Sequence, residues 1–215
     1  MIYCVSDLHG ELARFQAMLE LIRFSAADHL YVIGDVVDRG PNGIDLLDRI
    51  RTTANMTMLL GNHEYMCLAT FEGLDVHGAG DHWKKRCGGD ITYRQLTELR
   101  TDAERVEILQ FLATLPDDLD IIAGGRSFHL VHGLPAEDRY HKVWGRPTVE
   151  MPRFFPDQTV IVGHTPTPYV TNDFEHPFSI WYGDGIIDID CGCGEDSPFK
   201  RLGCLRLDDM AEFYL

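Results

Sequence analysis

Five times along this chain a short apolar run ends and a residue able to bind metal follows beside glycine. The segments are Val5-Ser6-Asp7-Leu8-His9-Gly10, Val32-Ile33-Gly34-Asp35, Leu59-Leu60-Gly61-Asn62-His63-Glu64, Leu130-Val131-His132-Gly133 and Ile161-Val162-Gly163-His164. Asp7, His9, Asp35, Asn62, His132 and His164 offer carboxylate, imidazole and amide oxygen. That mixture suits Mn²⁺, iron or Zn²⁺ better than Ca²⁺, which prefers oxygen alone. One carboxylate can bridge two such ions held ~3.5–4 Å apart. Two divalent cations outweigh the charges of Asp7 and Asp35, so the site stays positive, draws in phosphate and acidifies a shared water. Arg39, in Gly34-Asp35-Val36-Val37-Asp38-Arg39-Gly40, carries a planar fork for phosphate oxygens. His63 is a natural general acid for a departing oxygen, with Asp38 to fix its tautomer and keep it protonated. Arg146, in Trp144-Gly145-Arg146, is a second candidate clamp.

These residues need elements to hold them. Ile2–Ser6, His29–Ile33 and Met56–Leu60 read as strands. Between them Glu11–Phe24, with Leu12, Phe15, Leu19 and Ile22 on one face, and Asn42–Arg51 read as helices, and Glu64–Phe71 begins another. Such alternation means βαβ units and parallel strands, whose carboxyl ends share one edge where ligands bind. Residues 81–115 are helical in pattern, broken at Gly88-Gly89, with Asp102–Leu115 the clearest helix. The last third turns to strands: Ile121–Ala123 and Ser127–Val131 around a Gly124-Gly125-Arg126 hairpin signal, then Val160–Val162, Phe178–Trp181, Ile186–Ile189 and Leu202–Leu207. Pro135–Gln158 reads as a long surface loop which, with Ala79–Leu115, would wall the substrate.

The 215 residues suit one domain spanning 1–215, and 45% hydrophobic content supplies a core without help from metals or disulfides. The net charge of −15 argues against a nucleic-acid or anionic-membrane partner, which would want a basic face. No basic leader and no apolar run of membrane-spanning length is present in the sequence, so a soluble, cytoplasmic protein is expected. The six cysteines read as reduced thiols, and Cys191-Gly-Cys193 alone is a weak metal signal. His29, His77, His82, His129, His141 and His176 lack the strand–ligand–glycine setting and read as core or surface residues. Asp184, Asp188 and Asp190 read as turn and strand-edge carboxylates, Trp83, Trp144 and Trp181 as core or loop anchors, and Lys84-Lys85-Arg86 as a solvated helix face.

The ordered blocks from Asp7 to Thr165 resemble the signatures of the phosphoprotein phosphatase branch of the calcineurin-like metallophosphoesterases, and Ile187-Asp188-Ile189-Asp190-Cys191-Gly192 resembles the family's late strand. The length resembles the bacterial and phage serine/threonine phosphatases of this branch. The resemblance implies an α/β fold, a β-sandwich flanked by helices, with Asp35 bridging two divalent metals of the Mn²⁺ type. Asp7 and His9 would complete the first metal, and Asn62, His132 and His164 the second. His63 with Asp38 would serve the leaving group, and Arg39 and Arg146 the phosphate. The implied substrate is a phosphoprotein or phosphorylated small molecule, attacked by a metal-bridged hydroxide. Symmetrical diadenosine tetraphosphate hydrolysis is the rival within the same chemistry, and a metal-binding scaffold without turnover the rival outside it. Ser6 stands where glycine is usual, and His132-Gly133-Leu134-Pro135 lacks a small residue common among eukaryotic members.

Overall fold

The computed structural model describes residues 1–215. The first half runs β1 (Ile2–Val5), α1 (Leu12–Leu21), β2 (His29–Val32), α2 (Gly43–Arg51), β3 (Met56–Met58), α3 (Asn62–Glu72), α4 (Asp81–Arg86), α5 (Gly89–Glu98) and α6 (Asp102–Thr114). The second half runs β4 (Asp118–Ala123), β5 (Arg126–Val131), α7 (Arg139–Trp144), β6 (Thr159–Val162), α8 (Thr167–Thr171), β7 (Trp181–Tyr182), β8 (Ile186–Asp188), β9 (Gly203–Arg206) and β10 (Ala211–Tyr214). Two five-stranded sheets result, ordered β10-β9-β1-β2-β3 and β4-β5-β6-β8-β7. Strands β1, β2 and β3 are parallel, as are β5, β6 and β8.

Strand alternation sorts side chains between two cores. Along β1, Tyr3 and Val5 join the core beneath the helices, while Cys4 joins the core between the sheets. Phe128 and Leu130 of β5 and Ile161 of β6 share this core with Cys4 and Leu205 from the opposite sheet and with Leu207 just after it. Phe15 and Met18 of α1 and Ile44, Leu47 and Ile50 of α2 cover the other face of the first sheet. The α/β sandwich flanked by helices is thus the architecture that the sequence pattern and the resemblance implied.

The structure differs from the sequence reading in several places. Residues 135–158 hold the one-and-a-half-turn helix α7, started by the Asp138 side chain, which accepts from His141 N–H at 3.0 Å. Such a short helix carries too little periodicity to be read from sequence. The expected strand at Phe178–Trp181 begins only at Trp181. Phe178 and Ile180 are buried, but their N–H groups bond the Phe199 carbonyl and the Tyr214 hydroxyl, not a ladder. Strand β10 was not anticipated. It returns antiparallel on β9 through a turn in which Arg206 grips Asp209 with two hydrogen bonds of 2.8 and 2.7 Å. All six cysteines are free thiols, and every one but Cys87 is buried. No helix is long and apolar enough to cross a membrane.

Candidate metal centre

The carboxyl ends of β1, β2, β3, β5 and β6 lie along one edge, and the turn after each brings its polar residue to a common point. The turns are stitched to each other by backbone hydrogen bonds: Asp7 N–H to Gly34 O, His9 N–H to Asp35 O, Gly10 N–H to Val36 O and Gly163 N–H to His132 O, all within 2.8–3.2 Å. Asp7, His9, Asp35, Asp38, Arg39 and His164 all have positive φ, between 41° and 72°. Each such residue costs about 1–3 kcal/mol, a strain that concentrates at functional sites. Close approach is also enforced by glycine. A Cβ on Gly61 would stand 2.2 Å from Asp35 Oδ1, so no other residue fits there without moving the carboxylate.

Asp35 stands at the middle. Its Oδ2 is 3.8 Å from the Nε2 atoms of both His9 and His63, and its Oδ1 is 3.3 Å from His132 Nε2. Asn62 Oδ1 lies 3.1 Å from His132 Nε2 and 3.0 Å from His164 Nδ1. Two groups of potential ligands therefore share Asp35: His9 and His63 on one side, His132 and His164 on the other. Asp7 is buried beside them, its Oδ2 accepting the His164 N–H at 3.0 Å and the Ser6 hydroxyl. Ser6 is thus compatible with the opening block, because its hydroxyl sits between Asp7 Oδ2 and the Ile33 carbonyl and shares its one proton with these two acceptors.

The donor set fits cations. His132 Nδ1 is 2.7 Å from the Ile33 carbonyl and His9 Nδ1 is 3.0 Å from the Val37 carbonyl. A carbonyl accepts only, so each Nδ1 carries the proton and each Nε2 turns its lone pair inward, as metal-ligating histidines do. The His132 lone pair then faces two oxygens that are themselves acceptors, an arrangement that needs a positive charge between them. Burial would lower the His132 pKa, but the Asp35 carboxylate outweighs it and carries it to about 10, the same demand expressed as a proton. Burial and the Arg39 charge lower His9, and burial and the His132 charge lower His164, so both are neutral donors. The buried Nε2 of His164 has no hydrogen-bond partner.

His63 differs from its neighbours in one contact. Its Nδ1 meets a carboxylate, Asp38 Oδ2, at 2.6 Å, where His9 and His132 meet backbone carbonyls. Burial lowers the His63 pKa, yet Asp35 and Asp38 together raise it above the ordinary value. Asp38 is fully buried and is held by the Trp83 indole N–H at 2.5 Å. Trp83, read from sequence as a core anchor, is that and also an orienting donor. No sequence signal marked it beyond Gly88-Gly89, where a Cβ on Gly89 would strike the indole ring at 2.2 Å.

Glu64 is the second residue that the sequence reading passed over. It is fully buried and its oxygens accept the backbone N–H groups of Asp35, Val36, Val37 and Gly61 at 2.8, 2.8, 3.2 and 3.1 Å. Its position three residues after the helix-capping Gly61 was the available signal. Burial pushes the Glu64 carboxyl up to about 7 against the pull of those N–H groups. Asp188 and Asp190, expected on turns and strand edges, are buried, and burial raises both carboxyls well above their usual range.

A cleft of about 540 Å³ opens over Asp35, Asn62, His63 and His164. Arg39, Arg86, Arg146 and Glu195 line it together with Met66, His77, Trp144 and Tyr169. Arg146 is exposed and donates to Thr165 Oγ1 at 3.3 Å, and Arg39 is paired with Glu195. Lys84 and Lys85 pair with Asp81 on the helix surface as expected, but Arg86 turns into the cleft.

A calcineurin-like phosphoesterase family pattern matches residues 1–191. Over 75 residues the chain is 40% identical to a symmetrical bis(5'-nucleosyl)-tetraphosphatase of Thioalkalivibrio sulfidiphilus, a stretch covering 34% of this chain and 28% of that protein. Over 135 residues it is 33% identical to serine/threonine-protein phosphatase 2 of Escherichia coli, covering 61% of this chain and 57% of that protein. The chain thus spans less than two thirds of either relative. Among solved structures, a metallophosphoesterase from Sphaerobacter thermophilus superposes with a TM-score of 0.64 at 21% identity, covering 99% of this chain and 86% of its own. The family match spans residues 1–191, which hold the five turns that converge on Asp35, and the chain belongs to the calcineurin-like phosphoesterase family.

Proposed function

We propose that this metal-dependent phosphoesterase hydrolyses phosphate monoesters, first of all phosphoserine and phosphothreonine in proteins, at a pair of divalent cations. The observation that carries the reading is Asp35 lying between two imidazole groups, with Oδ2 toward His9 and His63 and Oδ1 toward His132. Asp7, His9 and Asp35 would hold one cation, and Asp35, Asn62, His132 and His164 the other. Cations of the Mn²⁺, iron or Zn²⁺ type would supply an activated water and charge neutralisation at the phosphoryl oxygens.

The chain's own residues supply the rest. Arg39 and Arg146 border the cleft and hold the two free phosphoryl oxygens by charge-assisted hydrogen bonds. His63 gives its Nε2 proton to the ester oxygen as the P–O bond breaks, so the alcohol leaves neutral. Asp38 holds the opposite nitrogen at 2.6 Å and stabilises the charged imidazolium beforehand. Glu64 fixes the backbone of residues 35–37, so Asp35 keeps its aim without reorganising.

The protein-phosphatase reading draws on a likeness over 135 residues, against 122 for a symmetrical bis(5'-nucleosyl)-tetraphosphatase of Pectobacterium carotovorum. A second reading, symmetrical hydrolysis of diadenosine tetraphosphate, is favoured by a specific feature: Arg86 is a third arginine in a cleft with the aromatic rings Trp144 and Tyr169. Steady-state turnover of a phosphothreonine peptide and of diadenosine tetraphosphate, each with Mn²⁺, separates the two. We expect the peptide to have the larger kcat/KM. The reverse order would replace the first reading by the second, and loss of both activities, p-nitrophenyl phosphate included, would leave a metal-binding scaffold.

A further inference from the structure

We infer that Glu195 is a built-in competitor for the phosphate clamp, a carboxylate that occupies Arg39 until a phosphoryl group displaces it. The inference rests on the reading of Arg39 as an anion clamp. Arg39 Nη1 donates to Glu195 Oε1 at 2.9 Å, a single hydrogen bond between partners from opposite halves of the chain. The same two side chains border the main cleft, the recess at Asp7, His9 and His164, and a side arm of about 360 Å³ beyond Arg86. The carboxylate therefore stands at the junction where an incoming anion must pass, holding the nitrogen that anion would use.

The backbone around Glu195 is not free to withdraw. A Cβ on Gly194 would lie 2.3 Å from the His9 ring, so the loop lies flat against a proposed metal ligand. Cys193 is buried beneath it, and Lys200 ties the far end to Glu11 at 3.5 Å. Displacement is thus a swing of the Glu195 side chain, not the opening of a loop. The pair is suited to be exchanged. Its side chains are 37% and 28% exposed, and ion pairs so open to water are weak, while a dianionic phosphate can take two guanidinium nitrogens at once. Arg39 itself stays in place through the swing, because its φ of 62° and its N–H bond to the Gly88 carbonyl fix its backbone. The consequence for the reaction is a weakened hold on substrate and product phosphate alike: Glu195 raises KM and speeds phosphate release.

Calorimetric titration of inorganic phosphate into the Mn²⁺-loaded protein tests this. Glu195→Gln should bind phosphate about two- to fivefold more tightly than the unmodified chain, because the amide competes less well for Arg39. KM for p-nitrophenyl phosphate should fall by a similar factor without a rise in kcat. Glu195→Asp, one methylene shorter, should shift in the same direction and guards against a folding defect in the first variant. In the Arg39→Ala background the Glu195→Gln gain should vanish. Equal or weaker phosphate binding by Glu195→Gln and Glu195→Asp, with normal turnover, would overturn the competitor role and leave the proposed activity standing. Tighter phosphate binding in both, with no ester hydrolysed by the unmodified chain, would sink the activity and keep the competitor.

Discussion

The floor of the cleft and its walls are built by different means. The floor is made of turns after parallel strands, each locked to the next by backbone hydrogen bonds and tightened by positive-φ residues such as Asp35 and His164. Its side chains, Asp7, His9, Asp35, His63 and His132, are all buried. The walls come from short helices and irregular segments, α4, α7, α8 and residues 193–201, with Tyr140 and Tyr169 exposed. A rigid, strained floor suits chemistry that tolerates little displacement, and open walls suit recognition that can vary without disturbing it. The contrast predicts that floor substitutions change kcat and wall substitutions change KM.

The strongest test strikes the centre of the floor. Asp35→Asn removes one negative charge from the carboxylate shared by both proposed cation positions. Turnover should fall by at least about 10³-fold, since both activation of water and neutralisation of phosphate depend on those cations. A thermal shift gives an independent readout. Excess Mn²⁺ at about a hundred times its dissociation constant stabilises a protein by ~2.7 kcal/mol, and chelation should remove that gain from the unmodified chain. The Asn variant should show little shift in either direction. An unchanged shift and normal turnover would mean that Asp35 bridges nothing.

His63→Asn should come next. It retains a polar side chain but loses the imidazolium that Asp38 stabilises and with it the Nε2 proton offered to the ester oxygen. Loss should reach about 10²–10⁴-fold for alkyl esters such as phosphoserine, and be far smaller for p-nitrophenyl phosphate, whose leaving group departs without a proton. The Mn²⁺ thermal shift should persist. A uniform loss for all leaving groups, or a vanished shift, would make His63 a ligand alongside His9, whose Nε2 is the same 3.8 Å from Asp35.

Glu64→Gln probes the scaffold under the floor. The amide would turn two N–H donors toward a carboxylate site that receives four backbone N–H groups. Leaving even one or two of these unpaired in a fully buried place costs roughly 2–3 kcal/mol. For a chain of this size the melting temperature should drop by about 4–10 °C. The loss of kcat should be moderate, because Asp35 itself is retained. A melting temperature within a degree of the unmodified chain would show that the floor holds its shape without Glu64.

The floor was legible in the sequence and the walls were not, for a physical reason. A polar residue at the end of a parallel strand is announced twice, by the apolar run before it and by the glycine that lets the chain turn. Asp7, Asp35, Asn62, His132 and His164 carry both marks, and the sheet geometry then brings them together without further information. His63 and Asp38 were legible through their neighbours in the same blocks. Glu64, Trp83 and Glu195 act through contacts with residues 20 or more positions away or through backbone groups, which no local pattern encodes. Helix α7 and the position of Arg86 in the cleft depend on tertiary packing over a few residues, too short a span for periodicity to speak.

Trp83 offers the smallest effect and the sharpest test, because it belongs to both regions. It sits on α4, a wall helix, yet it is fully buried and its indole N–H reaches Asp38 on the floor. Trp83→Phe keeps most of the ring's packing and deletes that donor. A hydrogen bond to a charged group is worth about 1.5–3 kcal/mol, of which only the part realised as His63 gives up its proton bears on rate. The expected result is a fall in kcat of roughly three- to tenfold for phosphoserine substrates, little change for p-nitrophenyl phosphate, and an unaltered KM. The selectivity for poor leaving groups is what a merely structural role would not produce. Were KM to rise while kcat held, Trp83 would be acting as the wall residue its helix makes it, and the division between floor and walls would need redrawing at α4.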